Sequence, residues 1–231
     1  MHKGEKGKSM EFILDTSDIN AIKEYDELLT IAGVTTNPTI ITRSGKEPEV
    51  VIKEILDYLK SEQKFFAQVV ATDFEGIMDE ARYINSLRPE NTYAKIPVTR
   101  VGLKAIKAAK AEGLNVLATA IYSADEAFLA AMNGADYLAP YVNRMCNYGD
   151  GIGQAIDLIQ MLAAQGLESK VMAASFKNVE QVHELIAAGI QSVTVPPEIV
   201  KLMIEHPGTE TAVGEFTENW QKAYGRKTFR A

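Results

Sequence analysis

The chain has one cysteine, Cys146, so no internal disulfide can form and a disulfide-stapled secreted scaffold is excluded. Histidine is scarce too, with three residues. His2, His183 and His206 lie far apart, with no ligand spacing to one another or to Cys146, so no metal site is expected. Cys146 has no histidine near it in sequence and makes a poor nucleophile candidate. No segment reaches the roughly 20 apolar residues of a membrane-spanning helix. Residues 1–9 (MHKGEKGKS) lack the apolar core of a signal peptide, so the expected compartment is the cytoplasm. Positive charge is also short, with 24 Lys and Arg against 31 Asp and Glu and a formal net charge of −7. Phosphate neutralisation needs clustered cations, so neither nucleic acid nor membrane is expected as a partner. Gly149, Gly151 and Gly153 in YGDGIGQ lack a third glycine at dinucleotide spacing; they read as a turn and a helix entry, with no nicotinamide cofactor.

What the chain does have is alternation. Eight short apolar, β-rich runs recur: Phe12 to Leu14, Gly33 to Thr36, Phe65 to Val70, Tyr93 to Val98, Val116 to Ile121, Tyr137 to Val142, Val171 to Phe176 and Ser192 to Val195. Helical patterns separate them, as in Val101 to Glu112, where Leu103, Ile106 and Ala109 to Ala111 recur at helical spacing. Strand–helix alternation implies parallel strands with both faces covered, which explains apolar runs in place of a period of two. Eight even repeats without a composition break predict a single α/β domain, a (β/α)8 TIM barrel, over a doubly wound open sheet. The expected division is a flexible leader at 1–10, a catalytic barrel at 11–206 and a C-terminal helix and tail at 207–231. That helix exceeds what the barrel requires, and Phe216, Trp220 and Tyr224 give it one aromatic face.

Barrel sites lie at the C-terminal ends of the strands, so polar residues in apolar strands mark the place to look. Asp15, Thr35, Thr36, Asn37, Gln68, Lys95, Thr119, Tyr141, Asn143 and Ser175 form such a ring. Lys95 is the sharpest, because it lies between Ala94 and Ile96 in a strand expected to be buried. Desolvation depresses a lysine pKa, and a neutral amine is what carbonyl addition requires. The alternatives are a lysine snorkelling from a strand end or paired with a buried acid. Tyr141 could simply fill the barrel mouth, Gln68 and Thr119 could be satisfied core polars, and Asn37 before Pro38 fits a helix start. Arg144, Ser175 and Lys177 follow strands six and seven, where barrels often bind phosphate, although a solvated surface is the plain alternative.

The segments LDTSD (14–18), GVTTNPTII (33–41), FAQVVAT from Phe65, AKIPVT (94–99), APYVNR (139–144) and AASFK (173–177) together resemble the transaldolase family, closest to its short fructose-6-phosphate aldolase branch. The resemblance runs from about Glu11 to Arg226, and Met10 matches the usual start. It implies that Lys95 forms a Schiff base with a ketose carbonyl and Tyr141 acts as general acid/base. Gln68 and Thr119 would hold the catalytic water, Asp15 and Asn37 would bind substrate hydroxyls, and Thr35 would stand with them as a binding residue. Ser175 would contact the ketose end, and Arg144, Ser175 and Lys177 would receive the aldehyde-side phosphate. No metal and no cofactor are implied. The partners implied are sugar phosphates, small ketoses and aldehydes, and further copies of the chain in rings of five, often paired into ten.

Transaldolases of this family typically carry Glu at the position of Gln68 and Phe at that of Tyr141, so both residues follow the aldolase pattern. Thr39 stands where Ser is more usual. The expected activity is cleavage and formation of fructose 6-phosphate from dihydroxyacetone and glyceraldehyde 3-phosphate. The alternative is a pentose-phosphate transaldolase moving the dihydroxyacetone unit between sugars, and a third is a catalytically silent barrel that binds phosphorylated ligands.

Overall fold

A computed structural model describes residues 10–230. Its strands are β1 (Glu11–Asp15), β2 (Gly33–Thr35), β3 (Lys64–Gln68), β4 (Thr92–Pro97), β5 (Val116–Ile121), β6 (Tyr137–Pro140), β7 (Lys170–Ala173) and β8 (Ser192–Val195). Its helices are α1 (Ile19–Leu28), α2 (Pro38–Arg43), α3 (Pro48–Tyr58), α4 (Phe74–Leu87), α5 (Arg100–Ala111), α6 (Ala124–Met132), α7 (Val142–Met145), α8 (Gly151–Gln165), α9 (Val179–Ala187), α10 (Pro197–Ile204) and α11 (Pro207–Tyr224). All strand pairs are parallel, and β8 closes on β1 with Ile13 opposite Thr194, giving the (β/α)8 barrel that the alternation predicts.

Local chemistry starts the helices where the strands end. Asp18, Asn37, Asp73, Thr99, Ser123, Asp150 and Asn178 each accept a backbone N–H from the first turn that follows. Such caps contribute about 1 kcal/mol each. They fix the entry angle of each helix onto the barrel.

The strands do alternate, in a way hidden by burial on both faces. Leu14, Val34, Phe65, Ala67, Ala94, Ile96, Val116, Ala118, Leu138, Val171, Val193 and Val195 face the helices and belong to the main core. Ile13, Phe66, Leu117, Tyr137, Ala139 and Met172 form a separate cluster inside the barrel. Polar groups lie on either side of that plug. At the N-terminal end, Glu11 accepts from Lys64 at 2.9 Å, Lys170 at 2.5 Å and the Tyr137 hydroxyl at 2.7 Å. Burial works against ionisation of Glu11, but those bonds outweigh it and hold the carboxyl below its ordinary pKa. The C-terminal end carries the polar ring.

Several boundaries differ from expectation. The sixth strand ends at Pro140 and the seventh at Ala173, because the chain turns there: Val142 opens the four-residue α7, and Ser175 takes a left-handed φ of 63°. Short extra helices α2 and α7 follow β2 and β6. Met10, expected in the leader, packs partly buried against the core; the rest of that leader lies outside the described residues. Helix α11 begins at Pro207, where a Pro-capable first turn and the His206 side chain, accepting from Gly208 N–H, start it. None of its residues is buried. The C-terminal tail folds back on it, with the Phe229 ring stacked on Trp220 at 5.6 Å and the Trp220 indole N–H donating to Thr228 O.

Helix α5 sits so close to the end of β4 that a Cβ on Gly102 would lie 1.8 Å from the Pro97 carbonyl oxygen. Backbone cannot yield as a side chain does, so Gly102→Ala should cost about 1–3 kcal/mol of stability by overpacking. An unchanged urea midpoint would show that α5 is free to move away.

Candidate active site

The register of neighbouring strands sets the polar ring at one level. Asp15 pairs with Thr35, Gln68 with Lys95 and Pro97 with Thr119. Because side chains alternate, Lys95 points into the barrel while Ala94 and Ile96 pack outward against helices. Lys95 is 5% exposed, and its Nζ donates to the Thr36 carbonyl oxygen at 2.7 Å. Desolvation pushes its pKa below the ordinary lysine value, and the Asp15 charge opposes that shift only in part.

Asp15 has the reciprocal problem. Burial raises its pKa, while Lys95 and a 2.7 Å hydrogen bond from Thr35 Oγ1 pull it back down, and Glu198 adds a smaller push upward. Its open side is the cavity itself. The Thr35 hydroxyl also lies 2.6 Å from Thr194 Oγ1. Since Thr35 spends its single proton on the carboxylate, Thr194 must donate to Thr35, which gives the chain of bonds one direction.

Opposite these residues, the Tyr141 hydroxyl lies 3.1 Å from Thr119 Oγ1. Burial raises the Tyr141 pKa; the bond to Thr119, the Arg144 charge and the Ala120 backbone lower it, and Asp15 raises it. Ala120 has a left-handed φ of 55° where the β5–β6 register shifts. A non-glycine residue there is uncommon and often marks a functional site. The Gln68 Oε1 is buried and has no hydrogen-bond donor among the described residues. Leaving such an acceptor unpaired costs about 1–3 kcal/mol, so the position suits a donor from a bound molecule.

The rim is built from loops. Asn37 lines the cavity, with its Oδ1 accepting from Ile40 N–H as the cap of α2 and its amide NH2 available to a ligand. Arg144 on α7 places its guanidinium 4.9 Å from the Tyr141 ring centre. Ser175 and Lys177 follow β7, and their loop is tied to α7 through Gln181, which donates to Asn143 Oδ1 and accepts from Lys177 N–H. These residues surround one cavity of about 1010 Å3 at the C-terminal mouth of the barrel. It reaches outward past α1 and α2 to Arg43, Ser44, Lys46 and Glu54.

Of the residues singled out from the sequence, Asp15, Thr35, Asn37, Gln68, Lys95, Tyr141, Asn143, Arg144, Ser175 and Lys177 all line this cavity. Thr119 does not. Its side chain is fully buried and reaches the site only through the Tyr141 hydroxyl. Sequence reasoning missed Thr194, which carried the same signal as the others, a polar residue in an apolar strand. The sequence marks Thr36 for its side chain, whereas the atom that meets Lys95 is its carbonyl oxygen, and Ala120 was missed because no side-chain signal marks it. Among the described residues no three His, Cys, Asp or Glu side chains converge as a metal site, and no helix is long and apolar enough to cross a membrane.

Residues 12–231 match the model of the family described as Transaldolase/Fructose-6-phosphate aldolase. A relative from Streptococcus pneumoniae (strain ATCC 700669 / Spain 23F-1), named probable fructose-6-phosphate aldolase, is 41% identical over 213 residues, covering 91% of this chain and 96% of that protein. Two solved structures share the fold at low identity. The native KDPGal structure superposes with a TM-score of 0.52 at 20% identity over 84% of each chain. The Amycolatopsis orientalis BexX/CysO complex gives 0.59 at 14% identity over 85% of each. A match over nearly the whole chain, on a closed eight-stranded barrel with a desolvated lysine at its mouth, places this protein in the transaldolase/fructose-6-phosphate aldolase family.

Proposed function

We propose that the chain is a Schiff-base aldolase that cleaves fructose 6-phosphate to dihydroxyacetone and glyceraldehyde 3-phosphate and catalyses the reverse addition. The observation that carries this reading is the Lys95 amine, desolvated and aimed into a cavity beside Tyr141 and Gln68. The name of the 41% identical relative supports it.

In this mechanism the neutral Lys95 amine adds to the ketose C2 carbonyl and water leaves, giving an iminium that serves as electron sink. Removal of the C4 hydroxyl proton breaks the C3–C4 bond and releases the aldehyde. The enamine left on Lys95 is protonated at C3, and water returns to free dihydroxyacetone. Tyr141 exchanges the protons, its phenol tuned by Thr119 and Arg144. Gln68 Oε1 accepts from the water consumed in the last step, which meets its unpaired state. Thr119 steers that water through Tyr141 rather than by touching it. Asp15, with Thr35 and Thr194 behind it, and the Asn37 amide bind donor hydroxyls. Arg144, Ser175 and Lys177 bind the aldehyde phosphate.

The working unit is a catalytic barrel, 11–206, with 207–231 joining copies into a ring. An α11 without a buried residue, exposing Val213, Phe216 and Tyr224, supports this division. The cytoplasm suits a chain with a single exposed thiol and sugar-phosphate substrates.

Borohydride reduction with dihydroxyacetone should fix the donor on the peptide holding Lys95, and labelling should reach its plateau at a pH below the ordinary lysine value of 10.5. Label on another lysine would refute the nucleophile. Gln68→Glu puts a carboxylate beside the water, so transfer to erythrose 4-phosphate should rise as free cleavage falls; a misplaced general acid/base typically costs about 10²–10⁴ in rate. An unchanged ratio, or a wild type that already depends on the acceptor, would replace the aldolase with a transaldolase. Removing residues from Glu215 onward should shift sedimentation from a ring to monomers or aggregates. Sedimentation like that of the intact protein would rule out α11 as the connector.

A further inference from the structure

Tyr122, which immediately follows β5 and does not line the cavity, has no part in the mechanism above. Its hydroxyl nevertheless accepts a hydrogen bond from Arg144 Nη1 at 3.1 Å. Its own position is fixed on three sides. The backbone N–H donates to Glu126 Oε2 at 2.8 Å, and the ring packs against Tyr141 and Tyr148, each with centroids 6.1 Å apart. Arg144 is thereby held between two aromatic residues, its guanidinium carbon over the Tyr141 ring and one N–H on the Tyr122 oxygen. Among the described residues it forms no ion pair with Asp or Glu.

A free arginine on a rim samples many rotamers, and ordering it on binding subtracts from affinity. A guanidinium has five N–H donors in one plane. With one spent on Tyr122 and none on a carboxylate, the remaining edge stays available to an anion in the cavity. The contact with Tyr141 has a second consequence, since the cation over the ring helps the phenol ionise, against the effect of burial.

Resting on the aldolase reading above, we infer that Tyr122 is a positioning residue that selects phosphorylated aldehydes by presetting the Arg144 guanidinium against the Tyr141 ring. Tyr122 acts through Arg144 and touches no reacting atom. The substrate class favoured is an aldehyde with a terminal phosphate over its unphosphorylated counterpart.

The test compares dihydroxyacetone addition to glyceraldehyde 3-phosphate and to glyceraldehyde in wild type, Tyr122→Phe, Arg144→Ala and the double variant. Tyr122→Phe keeps the ring packing and removes only the acceptor oxygen. It should raise KM for the phosphorylated aldehyde about tenfold relative to KM for glyceraldehyde, the loss of one hydrogen bond to a charged group, and carry the change in KM rather than kcat. Competitive inhibition by inorganic phosphate should weaken in parallel. In the double variant the discrimination should match that of Arg144→Ala alone, because nothing remains for Tyr122 to position. Equal changes for both aldehydes, unaltered phosphate inhibition, or penalties that add in the double variant would overturn the inference. If Arg144→Ala itself leaves the two aldehydes in their original ratio, the phosphate role of Arg144 falls, and Tyr122 with it.

Discussion

Placing a lysine amine inside a closed barrel is the constraint on which the rest of this site depends. An ammonium loses hydration there, and the structure returns only part of it: one carbonyl acceptor from Thr36 and the charge of Asp15 within range. The residual deficit holds the lysine pKa below its ordinary value, which favours the neutral amine that carbonyl addition requires. Closure of β8 onto β1 matters for the same reason, since it brings Asp15, Thr35 and Thr194 to the side of the barrel that faces Lys95. An open sheet would leave those residues at an edge, with water free to restore the lysine to its ordinary pKa.

The two ends of the barrel interior show how the same residue types serve different ends. At the N-terminal end, Glu11, Lys64, Lys170 and Tyr137 satisfy one another around a stacked and edge-on cluster of Phe66, Tyr93 and Tyr137. Burial pushes the Tyr93 phenol up to about 12, and the Tyr137 phenol is raised further by burial and its bond to Glu11. Both stay neutral. The bonds around Glu11 form a polar network, which rigidifies this end. The C-terminal end leaves the Gln68 Oε1 without a donor and Ala120 in a left-handed conformation. Gln68 and Ala120 both line the cavity, so an unpaired acceptor and a strained backbone meet there, although Arg88 Nη1 and Thr92 Oγ1 near the start of β4 are buried without partners among the described residues as well.

Above this floor the rim loops are tied to one another. Gln181, buried in the polar sense by its bonds to Asn143 and Lys177, ties the loop after β7 to α7. Tyr122 ties Arg144 to the loop after β5. Three consecutive strand ends therefore share one network, and a charged group bound at the rim is linked mechanically to the phenol beneath it. On the opposite side Asp15, Thr35 and Thr194 are joined across β1, β2 and β8, and Asn37 caps α2.

By itself the sequence determined the barrel and pointed to most of the polar residues that line its mouth. Eight apolar runs separated by helical patterns leave few other ways to bury both faces of every strand, and a polar residue inside such a run is too costly to be there without a partner or a task. That reasoning reached Lys95, Gln68, Asp15 and Tyr141 from single-residue exceptions, and it had equal grounds to reach Thr194. What it could not supply was facing and distance. Thr119 reads like Gln68 along the chain, yet the irregular register at β5 turns it behind Tyr141 rather than onto the cavity. Tyr122 reads as an ordinary aromatic after a strand, and only the tertiary structure sets its hydroxyl against an arginine 22 residues away. Periodicity records which side of an element is buried; which groups meet across the barrel mouth depends on strand register and loop path, and those are decided by the packed whole.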